Sequence, residues 1–283
     1  MLVKTIVPKL INADNFFEVG LRVYAKNTDE KSVDGVMISR LIKNGEDGKV
    51  VKKPLKILDI GCGDGSLARV WTLKLLKKNI QFNLYGLDES LAMTQDYFRN
   101  VHNAMSKKVH RSTVQVLQGN FDKFDVSNKT YDVIICAHVY LDRMYLKTYM
   151  TRMLRMLKPT GILVFIERSK SEPVSSFVSF IHKKVGKPMN MYTSRSYEDL
   201  LIVMKKIVKL REFESCVFKM EESYNKQIEW PHSVHDRVAI TSFLGSVKPE
   251  QLSDESLRDI SSYIEKNSRM LTGINKVMCI EKK

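Results

Sequence analysis

No run in this 283-residue chain approaches 18 apolar residues, so no membrane-crossing helix and no membrane partner is expected. The opening residues Met1-Leu2-Val3-Lys4-Thr5-Ile6-Val7-Pro8 lack both a long apolar region and a small-residue cleavage site, and do not read as a secretory signal. Cysteine is scarce. Cys62, Cys136, Cys216 and Cys279 lie far apart, mostly in apolar strand-like runs and without metal-ligand spacing. Buried free thiols in a reducing cytoplasm are the expectation, with no bound metal. Tryptophan occurs only at Trp71 and Trp230, and no internal repeat, low-complexity segment or arginine-rich arm is present. Acidic residues are in deficit, 32 against 46 basic, for a formal charge of +14. The densest basic clusters are short: Lys107-Lys108 with Arg111, and Lys205-Lys206 with Lys209 and Arg211. A solvated lysine-rich surface accounts for them, with an anionic partner such as RNA as the alternative.

What is present is an ordinary globular composition, 43% hydrophobic and 28% charged, long enough for one large α/β domain or two small ones. The most informative stretch is Leu55-Lys56-Ile57-Leu58-Asp59-Ile60-Gly61-Cys62-Gly63-Asp64-Gly65-Ser66. An apolar run of this kind suits a buried parallel strand, and the alternating glycines let a tight turn pass close under a ligand. Such a turn alone is compatible with a dinucleotide, a nucleoside or no ligand. Gly86-Leu87-Asp88-Glu89-Ser90 follows where a second strand should end.

Residues 13–44 read as two helices, joined at Asn27-Thr28-Asp29, which has helix N-cap composition. Gly45 to Lys53 reads as a polar connector. Strand and helix then alternate: strands at 55–60, 82–87, 113–118, 131–136 and 161–166, with helices at 66–78, 90–106 and 141–157. This rhythm implies a parallel sheet covered on both faces. Lys158-Pro159-Thr160-Gly161 is expected to end a helix and turn into the next strand. Helices at about 173–185 and 195–206, a strand at about 209–220, helices at 233–244 and 253–267, and a strand from Lys276 to Glu281 complete the reading. The predicted fold is α/β: a doubly wound, mostly parallel seven-stranded sheet. An N-terminal helical cap (1–54) precedes the core (55–283), which carries helical insertions at about 168–207 and 222–268.

Open parallel sheets bind ligands beyond the carboxyl ends of their strands. Gly61, Cys62, Gly63 and Gly65 would bring backbone against the ligand there, with the next helix N-terminus facing it. Asp59 either accepts a hydrogen bond from an ammonium group or orients the loop. Asp88 suits the paired hydroxyls of a ribose, or else caps the next helix, a task also open to Ser90. Met93 either flanks an adenine or packs in the core. Asn120 offers an amide to an adenine edge, and Phe121 either covers its face or is core. Ala137-His138-Val139-Tyr140 would roof the reacting centre.

This spacing resembles the class I S-adenosylmethionine-dependent methyltransferases over about residues 55–167. Asp59 to Gly65 is similar to their first motif, Asp88 to their acidic ribose ligand, and Asn120-Phe121 to their adenine segment. Tyr131 to Cys136 and Leu157 to Ile166 are similar to their fourth and fifth strands. The resemblance implies the Rossmann-like methyltransferase fold, ending in a β-hairpin, and S-adenosyl-L-methionine as cofactor. A nicotinamide dehydrogenase would more often carry G-x-G-x-x-G, whereas Leu67-Ala68 follow Gly65-Ser66 here.

Over the whole chain there is also a resemblance to the histamine N-methyltransferase-like small-molecule branch, carried by Phe16-Phe17-Glu18 through Asn27-Thr28-Asp29 and by Thr193-Ser194 to Leu200-Leu201. That match implies an amine-binding place for Asp29 and a substrate-contacting place for His138. The chain departs from that branch in its acidic first motif and its lack of pocket tryptophans, so histamine itself is not expected. His138, with an ordinary pKa of about 6.5, suits proton acceptance or a hydrogen bond to the acceptor, or else packs at a strand end. Phe177, Phe180, Tyr192, Tyr197, Trp230 and Phe243 are candidates for an acceptor pocket or for core, and Glu167 for the acceptor or for a solvated strand end. The expected function is methyl transfer to a small molecule, with an amine nitrogen as candidate acceptor, by a cytoplasmic monomer. An RNA or protein substrate held by the basic surface is the alternative, although neither an appended RNA-binding module nor an Asn-Pro-Pro-Tyr-like motif follows the fourth strand. A third class is a nucleoside-binding protein without catalysis; loss of the glycines or of Asp88 would have favoured it, and neither is lost.

Overall fold

The structure, a computed structural model, describes residues 15–44, 53–105, 111–124, 130–139, 141, 143–170, 173–186, 196–266 and 269–283. Met1 to Pro8, the connector 45–52, Lys107-Lys108, Tyr140 and Tyr192 to Ser194 lie outside the described residues. Seven strands form one sheet in the order β3-β2-β1-β4-β5-β7-β6. They are β1 (Leu55–Ile60), β2 (Phe82–Asp88), β3 (Thr113–Gln118), β4 (Tyr131–Ala137), β5 (Leu157–Arg168), β6 (Cys216–Glu229) and β7 (Met270–Lys282). β1 to β5 pair in parallel and β7 runs antiparallel to β5. The mostly parallel, Rossmann-like sheet expected from the sequence is therefore present.

Nine helices are described: α1 (Phe16–Lys26), α2 (Glu30–Asn44), α3 (Ser66–Lys77), α4 (Leu91–Met105), α5 (Leu146–Arg155), α6 (Pro173–Lys184), α7 (Tyr197–Ile207), α8 (Val234–Gly245) and α9 (Asp254–Lys266). None of the described helices is long and apolar enough to cross a membrane.

The described residues of Lys31–Arg168, Ser196–Ser223 and Asn275–Lys283 form a compact sheet unit. β1 lies at its centre, with Ile57 in register with Leu84 of β2 and Val133 of β4. Its core packs Leu58, Ile60, Ile134 and Phe165 of the strands with Met150 and Met153 of α5 and Met204 of α7. Burying such side chains contributes about 1.5–3 kcal/mol each, so continuous apolar strands are driven to this position.

A helical unit comprises the described residues of Met1–Glu30, Ser169–Arg195 and Tyr224–Ile274. Val23 and Tyr24 of α1, Phe177 and Ile181 of α6, Ala239 and Ile240 of α8, and Ile260 and Ile264 of α9 share its core with Trp230. The Lys226 ammonium is fully buried against the Glu30 carboxylate. The N-terminal segment is thus divided, with α1 in the helical unit and α2 from Lys31 onward in the sheet unit.

Four strand boundaries differ from the sequence reading. β6 starts at Cys216 rather than 209, because Arg211–Phe213 closes a 3-10 turn that buries Phe213. It continues to Glu229 through alternating polar residues that resemble a connector. β7 starts at Met270 rather than 276. Leu157 already pairs with Tyr131, and the ladder slips around Thr160, at φ +66°, before resuming at Ile162↔Val133. The Lys158–Gly161 turn is therefore an irregularity inside β5, not the junction before it.

Candidate functional site

Strand order reverses about β1, with β2 on one side and β4 on the other, so a crevice is expected beyond the carboxyl ends of these three strands. The turn after β1 is pinned across the strand ends: Gly61 N and Cys62 N both donate to Leu87 O, at 2.8 and 3.1 Å. Gly61, Gly63 and Gly65 have φ of +61°, +56° and +77°, the left-handed region that favours glycine. A Cβ on Gly61 would lie 2.6 Å from Val139 in the loop after β4, and one on Gly65 would lie 2.9 Å from the Tyr97 backbone. At Gly63 a Cβ would meet nothing within 4 Å. Two glycines therefore serve close packing, and the middle one leaves open space at the turn. Asp64 Oδ1 accepts from Ser66 N at 3.0 Å and from the Ser66 hydroxyl at 2.6 Å, closing a local turn ahead of α3.

Beneath the turn, Asp59 is 5% exposed and accepts from the Tyr97 hydroxyl at 3.0 Å. Burial pushes its carboxyl up to about 7; the Tyr97 hydrogen bond and the Lys31 charge oppose the rise, and the Asp88 charge adds to it. Burial and the Asp59 charge also push the Cys62 thiol well up, which leaves it a poor nucleophile. Asp59 thus ties β1 to Tyr97 of α4, the residue that Gly65 packs against.

Asp88, half-buried at the end of β2, accepts from Gly63 N at 2.9 Å through Oδ2 and from Ser90 N at 3.0 Å through Oδ1. Each carboxylate oxygen keeps further lone-pair capacity for a ligand. Ser90 Oγ accepts from Met93 N at 3.3 Å and so takes the helix-capping task. Asn120 is exposed; its Oδ1 accepts from Asp122 N and its Nδ2 donates to Glu89 Oε2 at 3.2 Å. Phe121 and Met93 are 7% and 4% exposed, so most of each side chain packs in the core and only an edge is left for a ligand. Arg152, not singled out from the sequence, donates to the Asp122 and Phe124 carbonyls and lies 5.0 Å over the Phe121 ring, locking this segment. The open glycine turn, the half-buried carboxylate beside it and the exposed amide together fit a nucleoside-bearing ligand.

At the end of β4, Ala137 is half-buried and pairs with Ile166. His138 has φ +55°, uncommon for a side-chain-bearing residue, and its N–H donates to Ile166 O at 2.9 Å. Its Nε2 lies 2.9 Å from Oδ2 of Asp34, which is fully buried on α2. Asn275 Nδ2, on β7, donates to Asp34 Oδ1 at 3.0 Å. Glu167, 6% exposed rather than a solvated strand end, brings Oε1 to 3.8 Å from His138 Nδ1. Asp34 and Asn275 escaped sequence reasoning. The available signal was Asp34 standing at helical spacing with Ile38 and Leu41, a carboxylate on an apolar stripe.

Asp29 lies in the helical unit. Its Oδ1 accepts from Gln227 N at 2.7 Å and its own N–H donates to Gln227 O, so it extends the pairing of β6. Phe177 and Trp230 are core of the helical unit, where Phe180 and Phe243 are partly buried; Tyr197 is core of the sheet unit. Lys205, Lys206, Lys209 and Arg211 are exposed.

A family model described as a methyltransferase domain matches residues 33–201, more than half of the chain. The chain is 27% identical over 124 residues to a ubiquinone/menaquinone biosynthesis C-methyltransferase of Campylobacter jejuni, covering 43% of this chain and 48% of that protein. It is 36% identical over 119 residues to a malonyl-[acyl-carrier protein] O-methyltransferase of Halalkalibacterium halodurans, covering 40% of this chain and 39% of that one. The chain thus spans less than half the length of these curated relatives. Among solved structures, YjhP of E. coli superposes with a TM-score of 0.52 at 16% identity, covering 95% of this chain and all of that one. A SAM-dependent methyltransferase of Thiobacillus denitrificans, in complex with S-adenosyl-L-homocysteine, superposes at 0.50 and 14% identity, covering 95% and 98%. The chain belongs to the methyltransferase-domain family.

Proposed function

We propose that this chain transfers a methyl group from S-adenosyl-L-methionine to a small-molecule acceptor, with a basic nitrogen as the favoured acceptor atom. The observation that carries the reading is the junction of Gly63 N with Asp88 Oδ2, which joins an open glycine turn to a half-buried carboxylate at the switch point of the sheet. In this reading Asp88 takes the ribose hydroxyls in charge-assisted hydrogen bonds, and the backbone of Gly61, Cys62, Gly63 and Gly65 lies along the amino-acid end. Asn120 addresses the adenine edge, with Met93, Phe121 and Ala137 as apolar walls. When bound, the cofactor supplies an electrophilic sulfonium methyl. His138 holds the acceptor or takes its proton, and the acidic groups Asp34 and Glu167 around it favour a cationic or proton-bearing acceptor. Asp29 Oδ1 accepts from Gln227 N and Glu167 Oε1 from Arg168 N, and in this reading both carboxylates favour a cationic acceptor.

The names of the curated relatives, a quinone-pathway C-methyltransferase and a malonyl-carrier O-methyltransferase, support a small or carrier-borne acceptor. Four free thiols suit a reducing compartment such as the cytoplasm, and a monomer suffices for this site. The test is transfer of isotopic label from S-adenosylmethionine to pooled small amines, phenols, tRNA and protein extract. Label in a small-molecule pool is expected. Label only in tRNA or protein would replace the acceptor assignment with one that uses the +14 charge.

A further inference from the structure

We infer that Asp34 is the positioning residue of His138, holding the proton on Nε2 so that Nδ1 is the atom that accepts a proton from the acceptor. The inference deepens the methyltransferase reading and rests on it for the substrate side of the exchange. Its basis is the polar cluster inside the sheet unit. A carboxylate has acceptors and no donor, so the 2.9 Å contact between Asp34 Oδ2 and His138 Nε2 needs the hydrogen on Nε2. Asn275 Nδ2 donates to the other oxygen of Asp34, which fixes the plane of the carboxylate, and also lies 3.3 Å from His138 Nε2. The shorter, charge-assisted contact with Asp34 decides that Nε2 donates. In a neutral imidazole the lone pair then resides on Nδ1.

Nδ1 faces Glu167 Oε1 at 3.8 Å, too far for a hydrogen bond in the resting geometry but close enough to stabilise a proton that arrives there. The other acidic group on this stretch of α2, Glu30, stands one turn before Asp34 and is committed to Lys226. His138 is held for the task by its backbone. The left-handed φ of +55° is held by the hydrogen bond of its N–H to Ile166 O. The side chain keeps 16% exposure, enough for a substrate atom to reach it.

The exchange balances simply. The acceptor's N–H or O–H bond breaks, its electron pair stays on the acceptor atom, and an Nδ1–H bond forms. The resulting imidazolium lies between two carboxylates and later passes its proton to water. Asp34 touches no substrate in this scheme and acts only through His138.

The test reads the tautomer directly and needs no acceptor. The full chain, labelled with nitrogen-15 histidine, is examined by NMR at a pH beyond the end of the His138 titration followed in the same spectra, where the ring is neutral; His138 is identified by the signal missing from His138→Gln. The inference requires a protonated Nε2 and an unprotonated Nδ1 on His138 in the wild type, and loss of that single tautomer in Asp34→Ala, which leaves no side-chain oxygen to accept from Nε2. A wild-type His138 with its proton on Nδ1 overturns it, as does an unchanged tautomer in a folded Asp34→Ala. Calorimetry with S-adenosylhomocysteine on the same samples separates the two claims. Loss of that binding with the required tautomer counts against the cofactor reading, and intact binding with the opposite tautomer counts against Asp34. Once an acceptor is known, Asp34→Ala should lower kcat by about 10- to 100-fold with an unchanged KM for the cofactor, since general acid–base catalysis is worth roughly 10²–10⁴-fold.

Discussion

Asp59 makes the folded chain carry a pH-dependent penalty whose size follows from its burial. Its carboxyl titrates at about 7 in the fold against 3.8 when unfolded. Below pH 4 both states hold the proton. Between 4 and 7 the unfolded chain releases it while the folded chain retains it, so stability falls with rising pH by about 1.36 kcal/mol per unit. Above 7 both are ionised and the loss levels off at roughly 4 kcal/mol, an order-of-magnitude figure. Asp59→Asn keeps an oxygen for the Tyr97 hydroxyl and removes the titration. Stability relative to wild type should therefore climb by roughly 4 kcal/mol from pH 4 to pH 8, because other groups titrate alike in both proteins. The assay is denaturant unfolding followed by the fluorescence of Trp71, which is fully buried in the sheet unit, in a Trp230→Phe background. A difference that stays flat from pH 4 to pH 8 would mean that Asp59 is ionised in the fold at its ordinary pKa.

Two further predictions separate packing from ligand binding. Gly63→Ala meets no neighbour and pays only the left-handed backbone cost of about 1–2 kcal/mol, so it should melt near wild type yet bind S-adenosylhomocysteine at least about tenfold more weakly. Gly65→Ala drives a Cβ to 2.9 Å from the Tyr97 backbone and should melt well below Gly63→Ala in the same thermal scan. In the helical unit, Lys226→Met strands the buried Glu30 carboxylate and should cost about 3–5 kcal/mol, read by Trp230 fluorescence in a Trp71→Phe background. Glu30→Leu combined with Lys226→Met should recover most of that loss; a double variant no better than Lys226→Met would mean that the pair itself, and not the stranded charge, sets the cost.

The strands nearest the switch point were legible because burial on both faces writes them as continuous apolar runs: Ile57 to Ile60 and Val133 to Cys136 are buried throughout. Asp88 and the glycine turn were legible for a related reason, since a nucleoside-binding turn needs backbone freedom and a carboxylate at a fixed distance along the chain. β6 was displaced because it lies at the sheet edge, where alternate positions face solvent and carry Glu, Lys and Asn. Phe121 was only half legible: an aromatic beside an amide suits both an adenine and a core, and here the core takes the ring. Least legible was the surrounding of His138. Asp34 and Asn275 stand 241 residues apart, and no local pattern announces that a helix near the start and the final strand meet on one histidine.

The most direct test of the central claim is calorimetric titration of S-adenosylhomocysteine into the wild-type chain and Asp88→Asn. The variant keeps an oxygen for Gly63 N but loses the charge that would hold the ribose. Hydrogen bonds to a charged group contribute roughly 1.5–3 kcal/mol each, so one-to-one binding is predicted for the wild type and binding at least about tenfold weaker for the variant. No heat and no thermal shift with wild type at millimolar ligand, or equal affinity in the two proteins, would contradict the account.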